Sequence, residues 1–253
     1  MRLALIADIH GNLPALDAVL AEVDRERVDE IVCLGDVALG PQPVDTLERL
    51  RTVGCPVTMG NWDAWFFQRM PSLDGDLGRV LGDLRSWSLG QLSPDHRRYV
   101  QGFDQTLEVG LGTGASLLGF HGSPRSFEDM ILATTPDAEL ERMLDGRTAL
   151  VLAGGHTHFQ LFRRFGESAI VNPGSVGLPF RRIQAGVMQI APWAEYGLVD
   201  YEEGRLAIQL RRTAFDVESF LALMLRSGMP HAEWWADLWR DTPAEEPGSE
   251  RLA

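Results

Sequence analysis

Short apolar runs in this chain end, one after another, in polar strings that a buried strand has little reason to carry. Leu3–Ala7 leads into ADIHGN, Ile31–Leu34 into LGDV, Pro56–Met59 into GNWD, Ser116–Phe120 into FHGSP and Ala149–Ala153 into GGHTH. Between the first runs, Leu13, Leu16, Leu20 and Val23, then Val44, Leu47 and Leu50, recur at helical spacing, with Pro14 allowed in a first turn. Strand, helix, strand, helix, strand in that order predicts a mostly parallel sheet with helices against its faces, an α/β fold. In such a sheet the loops beyond the carboxyl ends of the strands converge on one edge. Seven residues are therefore expected to meet there: Asp8, His10, Asp36, Asn61, His121, His156 and His158.

Their chemistry is as selective as their placement. Carboxylate, amide and imidazole donors suit two adjacent divalent ions, and four of the chain's six histidines belong to the set. A two-metal site of this kind points to phosphoester hydrolysis. Taken singly, each residue has a plainer use. Asp8 can cap the helix that follows it, with Asn12 competing for that role, and Asp36 can do the same. Asn61 is a common turn residue, and His121 alone suits a hydrogen-bonded core histidine. The His-x-His of GHTH is harder to explain away, since extended backbone puts both rings on one face.

Composition narrows the setting. The 253 residues carry a formal net charge of −13, and filling the site with two divalent ions leaves the chain acidic. No basic stripe is present, only the pairs Arg97–Arg98, Arg163–Arg164, Arg181–Arg182 and Arg211–Arg212, so long duplex nucleic acid is not an expected partner. A small anionic molecule drawn by the metals fits better. Cys33 sits in an expected strand and Cys55 in a turn before Pro56, so neither a disulfide framework nor a cysteine metal cage is expected. The opening apolar run is too short for a leader or a membrane span, and no other segment is long enough to cross a bilayer. The expected location is the cytoplasm, with no membrane partner.

From Trp62 to Gly102 the pattern turns helical, with Leu77, Val80, Leu81 and Leu84 marking one helix and Ser93-Pro94 starting another. Strands are expected at Leu107–Leu111, Ser116–Phe120 and Ala149–Ala153, with a helix near Asp137–Leu144. Shorter ones follow at Leu161–Phe165, Ala169–Val171, Val187–Ala191 and Leu206–Leu210. Phe215–Leu225 and His231–Trp239 read as two closing helices, the second with three tryptophans that suit packing or a homo-oligomer contact. Residues 1–240 form one expected domain, with 62–102 as a helical insertion near the site and 214–240 as C-terminal helices; 241–253 is a polar, frayed tail.

In order, the strings DIHGN, LGDV, GNWD, HGSP and GHTH resemble the calcineurin-like metallophosphoesterases over roughly residues 1–213, and LGDVALGPQP with the NPGSVGLP loop (Asn172 to Pro179) resembles the small bacterial stand-alone type. The resemblance implies an αββα sandwich of mixed sheets flanked by helices, with a dinuclear site at the sheet edge. It assigns Asp8, His10, Asp36 and His158 to one metal, Asp36 bridging, and Asn61, His121 and His156 to the other. It also implies in-line attack on phosphorus by a bridging hydroxide held by Asp36 and the metals. Mixed ligation of this kind suits Mn, Fe, Zn, Co or Ni.

Two departures from the family's pattern bear on function. Where the family carries a histidine after the asparagine, as general acid or phosphate contact, this chain has Trp62, which offers one weak donor and no titratable proton near neutrality. Loss of such an acid costs about 10²–10⁴ in rate. Asp63 keeps its place as a catalytic candidate without its expected partner. Second, the arginines of the family's protein serine/threonine phosphatases are missing around Asp36 and Asn61, which disfavours a phosphoprotein substrate. Phosphate contacts then fall to Arg125 or Arg181 and Arg182, with Asn172 of the NPGS loop and Trp62 as further substrate-binding candidates. Trp62 and Trp65 can stack a nucleobase or simply pack the helix start. A small phosphomonoester or phosphodiester, nucleotides included, is the expected substrate. The alternative is a metal-binding member of the fold with weak or lost catalysis, serving as a binding or regulatory module.

Overall fold

Strand β1 (Arg2–Ile6) is buried from Leu3 to Ile6 because both its faces are covered. In the computed structural model, which describes residues 1–71, 75–184 and 187–240 (without the side chains of 182–188), β1 pairs in parallel with β2 (Glu30–Cys33). Helix α1 (Leu13–Glu26) makes the crossover. It starts where Asn12 Oδ1 accepts the Ala15 N–H at 3.1 Å, so Asn12, not Asp8, is its cap.

The architecture is four layers, the αββα sandwich that the resemblance implied. One sheet runs β11 (Arg205–Ala214), β10 (Trp193–Glu202), β1, β2; the other runs β3 (Thr106–Gly112), β4 (Ala115–Phe120), β5 (Val151–Ala153), β7 (Ser168–Pro173), β6 (Gln160–Phe165). Period-two alternation distributes β1 between two cores. Leu3 and Leu5 meet Val109, Leu117, Val151 and Val171 between the sheets, while Ala4 and Ile6 face the helical layer with Leu16, Val19 and Leu47. That layer holds α1, α2 (Pro43–Val53), α4 (Gly75–Gln91), α5 (Pro94–Gln101), α7 (Val217–Arg226) and α8 (Ala232–Arg240). On the far face, Leu118, Phe120, Leu152 and Ile170 pack against Leu140, Met143 and Leu144 of α6 (Asp137–Leu144).

The mostly parallel sheet read from the first elements is corrected to two mixed sheets. Parallel pairing holds for β1·β2, β4·β5 and β5·β7, whereas β10 enters antiparallel beside β1 from late in the chain. The sequence pattern missed β10 altogether. Ala194 to Val199 is continuously buried between two neighbouring strands, so no polar–apolar alternation marks it. It also missed β8 (Phe180–Gln184), which pairs with β9 (Val187–Ile190). The expected third strand at Pro56–Met59 shrinks to isolated bridges, Cys33 to Val57 and Thr58 to Asp104. The expected tail at 241–253 lies outside the described residues. Among the described residues no helix is long and apolar enough to cross a membrane.

Both cysteines are free thiols, and burial pushes Cys55 up to about 12 and Cys33 well above its ordinary value. The reactive thiolate is therefore scarce at neutral pH. Titration with Ellman's reagent at pH 8 is expected to find fewer than one reactive thiol per folded chain, and both after denaturation.

Candidate metal centre

The parallel pairs deliver the polar strings to one edge. Asp8 and His10 follow β1, Asp36 follows β2, His121 follows β4, and His156 and His158 follow β5. Asn61 opens the short helix α3 (Asn61–Trp65), held near β2 by the Cys33–Val57 bridge. All seven expected ligands converge. Two groups have donor atoms within 4.8 Å of one another and can each hold a metal ion: Asp8, His10 and His158, and Asp36, His121 and His156.

The backbone is bent to aim these side chains. Asp8 (φ 54°), His10 (48°), Asp36 (55°), His156 (68°) and His158 (60°) all occupy the left-handed region that residues with a Cβ avoid. Strain of this sort persists only where surrounding structure over-determines it. Here two glycines press on two consecutive peptides. A Cβ on Gly40 would lie 1.9 Å from the His10 carbonyl oxygen, and one on Gly177 would lie 1.9 Å from that of Ile9.

Hydrogen bonds then set the tautomers. His121 Nδ1 donates to Leu34 O and His158 Nδ1 donates to Leu178 O, each at 2.7 Å. With those protons committed, each neutral ring turns a lone pair at Nε2 inward. His121 Nε2 lies 2.9 Å from Asn61 Oδ1 and 3.4 Å from Asp36 Oδ2. His158 Nε2 lies 3.4 Å from Asp8 Oδ1, a buried oxygen with no donor among the described residues, and 3.2 Å from His10 Nε2. Acceptors facing acceptors at these distances require a positive charge among them. Divalent cations fit that demand and the hard-oxygen and imidazole donor set.

Protonation equilibria carry the same demand. Burial, the largest influence, opposes charge on His121, yet Asp36 and Asp8 outweigh it and hold the ring up to about 9. His158 is raised by Asp8 against the same penalty. Burial and His158 bring His10 down to about 4, and burial and His121 do the same to His156. Asp8 and Asp36 are lowered by the imidazoles in spite of burial.

The other sequence candidates take up different places. Asp63 Oδ2 accepts from the N–H of Asp36 at 2.7 Å and of Gly60 at 3.3 Å, while Oδ1 accepts from Val37 N–H at 3.1 Å. Burial and the neighbouring Asp36 push it up to about 7. Trp62 N–H donates to Asp36 Oδ1 at 2.9 Å, so that oxygen serves α3 while Oδ2 faces the cluster. The Trp62 ring packs edge-on to Trp65 at 4.7 Å, and Trp65 Nε1 donates to Glu128. Asn172 uses both ends of its amide, donating to Gly155 O at 2.6 Å and Thr157 Oγ1 at 3.1 Å and accepting from Gly174 N–H at 2.8 Å. It moors the GGHTH loop. Arg125 is paired with Asp129 at 3.0 Å and is 44% exposed. Arg181 follows Phe180, whose ring stacks on His158 at 4.4 Å, and the Arg182 side chain lies outside the described residues. Sequence reasoning missed Ser175, whose hydroxyl donates to Asp8 O at 2.7 Å and accepts from Leu178 N–H at 2.8 Å. The serine of the NPGS string was the available signal.

A cradle of acceptors at the shared edge of two stacked sheets is what a metal-dependent phosphoester hydrolase needs to hold its ions. The calcineurin-like phosphoesterase superfamily domain is matched over residues 1–191. The chain belongs to that family and is by family a metallophosphoesterase. Its structure is similar to a metallophosphoesterase from Sphaerobacter thermophilus (TM-score 0.70, 26% identity, 92% of this chain and 96% of that one). It is also similar in fold to a hypothetical protein from Pyrococcus horikoshii OT3 (TM-score 0.77, 21% identity, 94% and 97%). An uncharacterized protein of Methanocaldococcus jannaschii is 23% identical over 252 residues, 92% of this chain and 94% of the relative.

Two measurements check this geometry. Replacing Asn172 by Leu removes the acceptor of the Gly174 N–H and one of the two donors to the Gly155 carbonyl, and is expected to lower stability by about 1–3 kcal/mol in urea unfolding. Adding Mn²⁺ or Zn²⁺ to chelator-treated protein is expected to raise Tm, by an amount equivalent to about 2.7 kcal/mol at a hundredfold excess over Kd. The rise should vanish in His121→Ala.

Proposed function

We propose that residues 1–240 act as one domain that hydrolyses a small phosphomonoester or phosphodiester, nucleotides included, with two divalent ions in the cradle. The observation that carries this reading is the convergence of carboxylate, amide and imidazole donor atoms around Asp8 and Asp36, which a pure interaction protein has no physical reason to maintain. Bound divalent ions supply Lewis acidity and lower the pKa of water, the chemistry of two-metal phosphoester hydrolysis.

The chain's own groups divide the remaining work. Asp8, His10 and His158 would hold one ion, and Asn61, His121 and His156 the other. Asp36 Oδ2 would serve both, since it lies 3.7 Å from His10 Nε2 and 3.4 Å from His121 Nε2. Asp63 would act as a positioning residue, tying the Asp36 loop to the start of α3 through three backbone amides. Arg125 or Arg181 would meet the phosphate, Arg125 after leaving Asp129. Asn172 would contribute by holding the loop that carries His156 and His158. Mn, Fe, Zn, Co and Ni all suit the donors, and local availability decides among them. The two free thiols, Cys33 buried and Cys55 half-buried, suit a reducing cytoplasm.

One observation favours a second reading. Trp62 stands where the family's acid would act, and its ring rests against Trp65. A metal-binding module with little turnover, working as a binding or regulatory partner, follows from that exchange.

The assay is p-nitrophenyl phosphate and bis-p-nitrophenyl phosphate with Mn²⁺. Wild type is expected to turn over at least one ester, His156→Ala to lose about 10²-fold or more, and Trp62→His to gain up to about 10²-fold where the leaving group needs a proton. An inert wild type with activity recovered by Trp62→His supports the second reading. No metal-dependent turnover by either protein on either ester sinks the hydrolase.

A further inference from the structure

The loop from Asn172 to Pro179 is seated against the chain that leaves β1. Val176 N–H donates to Ala7 O at 2.9 Å and Gly177 N–H to Asp8 O at 3.0 Å, while Asn12 Nδ2 donates to Gly177 O at 3.2 Å. Ser175 adds a contact of another kind. It is fully buried, and its Oγ donates to Asp8 O at 2.7 Å while accepting from Leu178 N–H at 2.8 Å. Leu178 O in turn accepts from His158 Nδ1 at 2.7 Å. One hydroxyl therefore joins the carbonyl of one expected ligand to the residue that orients another.

Both of those ligands belong to the same group of donors, Asp8, His10 and His158. The second group is held from elsewhere. His121 Nδ1 donates to Leu34 O, and the Asp36 amide donates to Asp63 Oδ2. Among the described residues Ser175 bonds to Asp8, to Leu178 and, through its backbone carbonyl, to Glu195, and to no member of that second group. The two groups touch at Asp8 Oδ2, which accepts the His156 backbone N–H at 3.0 Å and leaves the His156 ring untouched by Ser175. Asp8 also sits at φ 54°, so the two donors on its carbonyl, Ser175 Oγ and Gly177 N–H, help hold strained backbone in place. Outer contacts of this kind set the direction and basicity of metal ligands.

We propose that Ser175 is a positioning residue that sets the affinity of one ion site, that of Asp8, His10 and His158, and leaves the neighbouring site alone. The assignment rests on the two-ion reading above. Removing the hydroxyl leaves Leu178 N–H without its acceptor and Asp8 O with one donor fewer, so the His158 ring loses alignment while His121 keeps its own. A serine that merely stabilised the fold would loosen both sites together.

The test has one arm that needs no metal. Protons on His121 Nδ1 and His158 Nδ1, shielded by their bonds to backbone carbonyls, are followed by ¹⁵N–¹H NMR in chelator-treated protein, with His121→Ala and His158→Ala assigning the signals. Ser175→Ala is expected to broaden the His158 signal through faster exchange with water and to leave that of His121 in place. In the second arm Mn²⁺ is titrated calorimetrically, and His158→Ala and His156→Ala assign each binding step to its ion. Ser175→Ala is expected to weaken the step lost in His158→Ala by about 10–100-fold and to leave the other unchanged. Ser175→Cys, close in size but a weak donor, should stay weakened, and Ser175→Thr, which keeps the hydroxyl, should recover. Equal weakening of both steps, or a Cys variant that binds as tightly as wild type, overturns the proposal. Where Ser175→Ala fails to fold, Ser175→Cys carries both arms. A wild type that binds no Mn²⁺ sinks the two-ion reading, and the imidazole signals alone then uphold or overturn Ser175 as the residue that positions His158.

Discussion

Mutual repulsion among buried acceptors is the constraint around which this molecule is built. His121 Nε2, Asn61 Oδ1 and Asp36 Oδ2 crowd one side of the centre, and His158 Nε2 faces Asp8 Oδ1 on the other. In a low-dielectric setting such a cluster is unfavourable without a cation. Holding it together requires a frame stiff enough to resist its opening, and two stacked sheets provide one. The parallel pairs β1·β2 and β4·β5 send their carboxyl ends the same way, so ligand loops from both sheets meet at a common edge.

The frame reaches the ligands through backbone groups and buried polar side chains. Leu34 and Leu178 fix two imidazoles through their carbonyls. Asn172 moors the loop bearing His156 and His158, and Asp63 fastens the loop bearing Asp36. Gly40 and Gly177 let neighbouring loops approach the Ile9–His10 segment more closely than any Cβ would allow. Together these contacts sustain left-handed backbone at five of the seven expected ligands. The centre and the sandwich therefore depend on each other, because the strain is tolerable only while the frame is folded.

Much of this was legible in the residue order. The apolar run before Asp8 and the spacing of Leu13, Leu16, Leu20 and Val23 foretold β1 and α1, since each buries one well-defined face. The ligand strings foretold the edge, because a carboxylate or imidazole after a buried run has few other uses. Where the periodic signal vanished, so did the reading. Ala194 to Val199 is covered on both faces and has no alternation, so the strand that lies between β1 and β11 went unseen. Pro56–Met59 looked like a strand from its composition, yet it pairs only through isolated bridges. The choice between Asp8 and Asn12 as cap for α1 turned on side-chain direction, which the order of residues does not contain.

What the sequence by itself determined is the inventory: seven donors of the right hardness, each placed after an apolar run, and a tryptophan where a proton donor is usual. What only the tertiary structure decided is how those groups are aimed. Tautomers, the division of Asp36 between α3 and the centre, and the mooring role of Asn172 all arise from contacts between segments far apart in the chain. The C-terminal helices show the same division. Their tryptophans were legible as apolar faces, but a small cavity that they close against His10 exists only once α7 and α8 have packed beside it. The physical reason is common to all of these. Periodicity encodes which face a segment buries, whereas a hydrogen bond or a cavity wall is set by whatever the fold brings opposite that face.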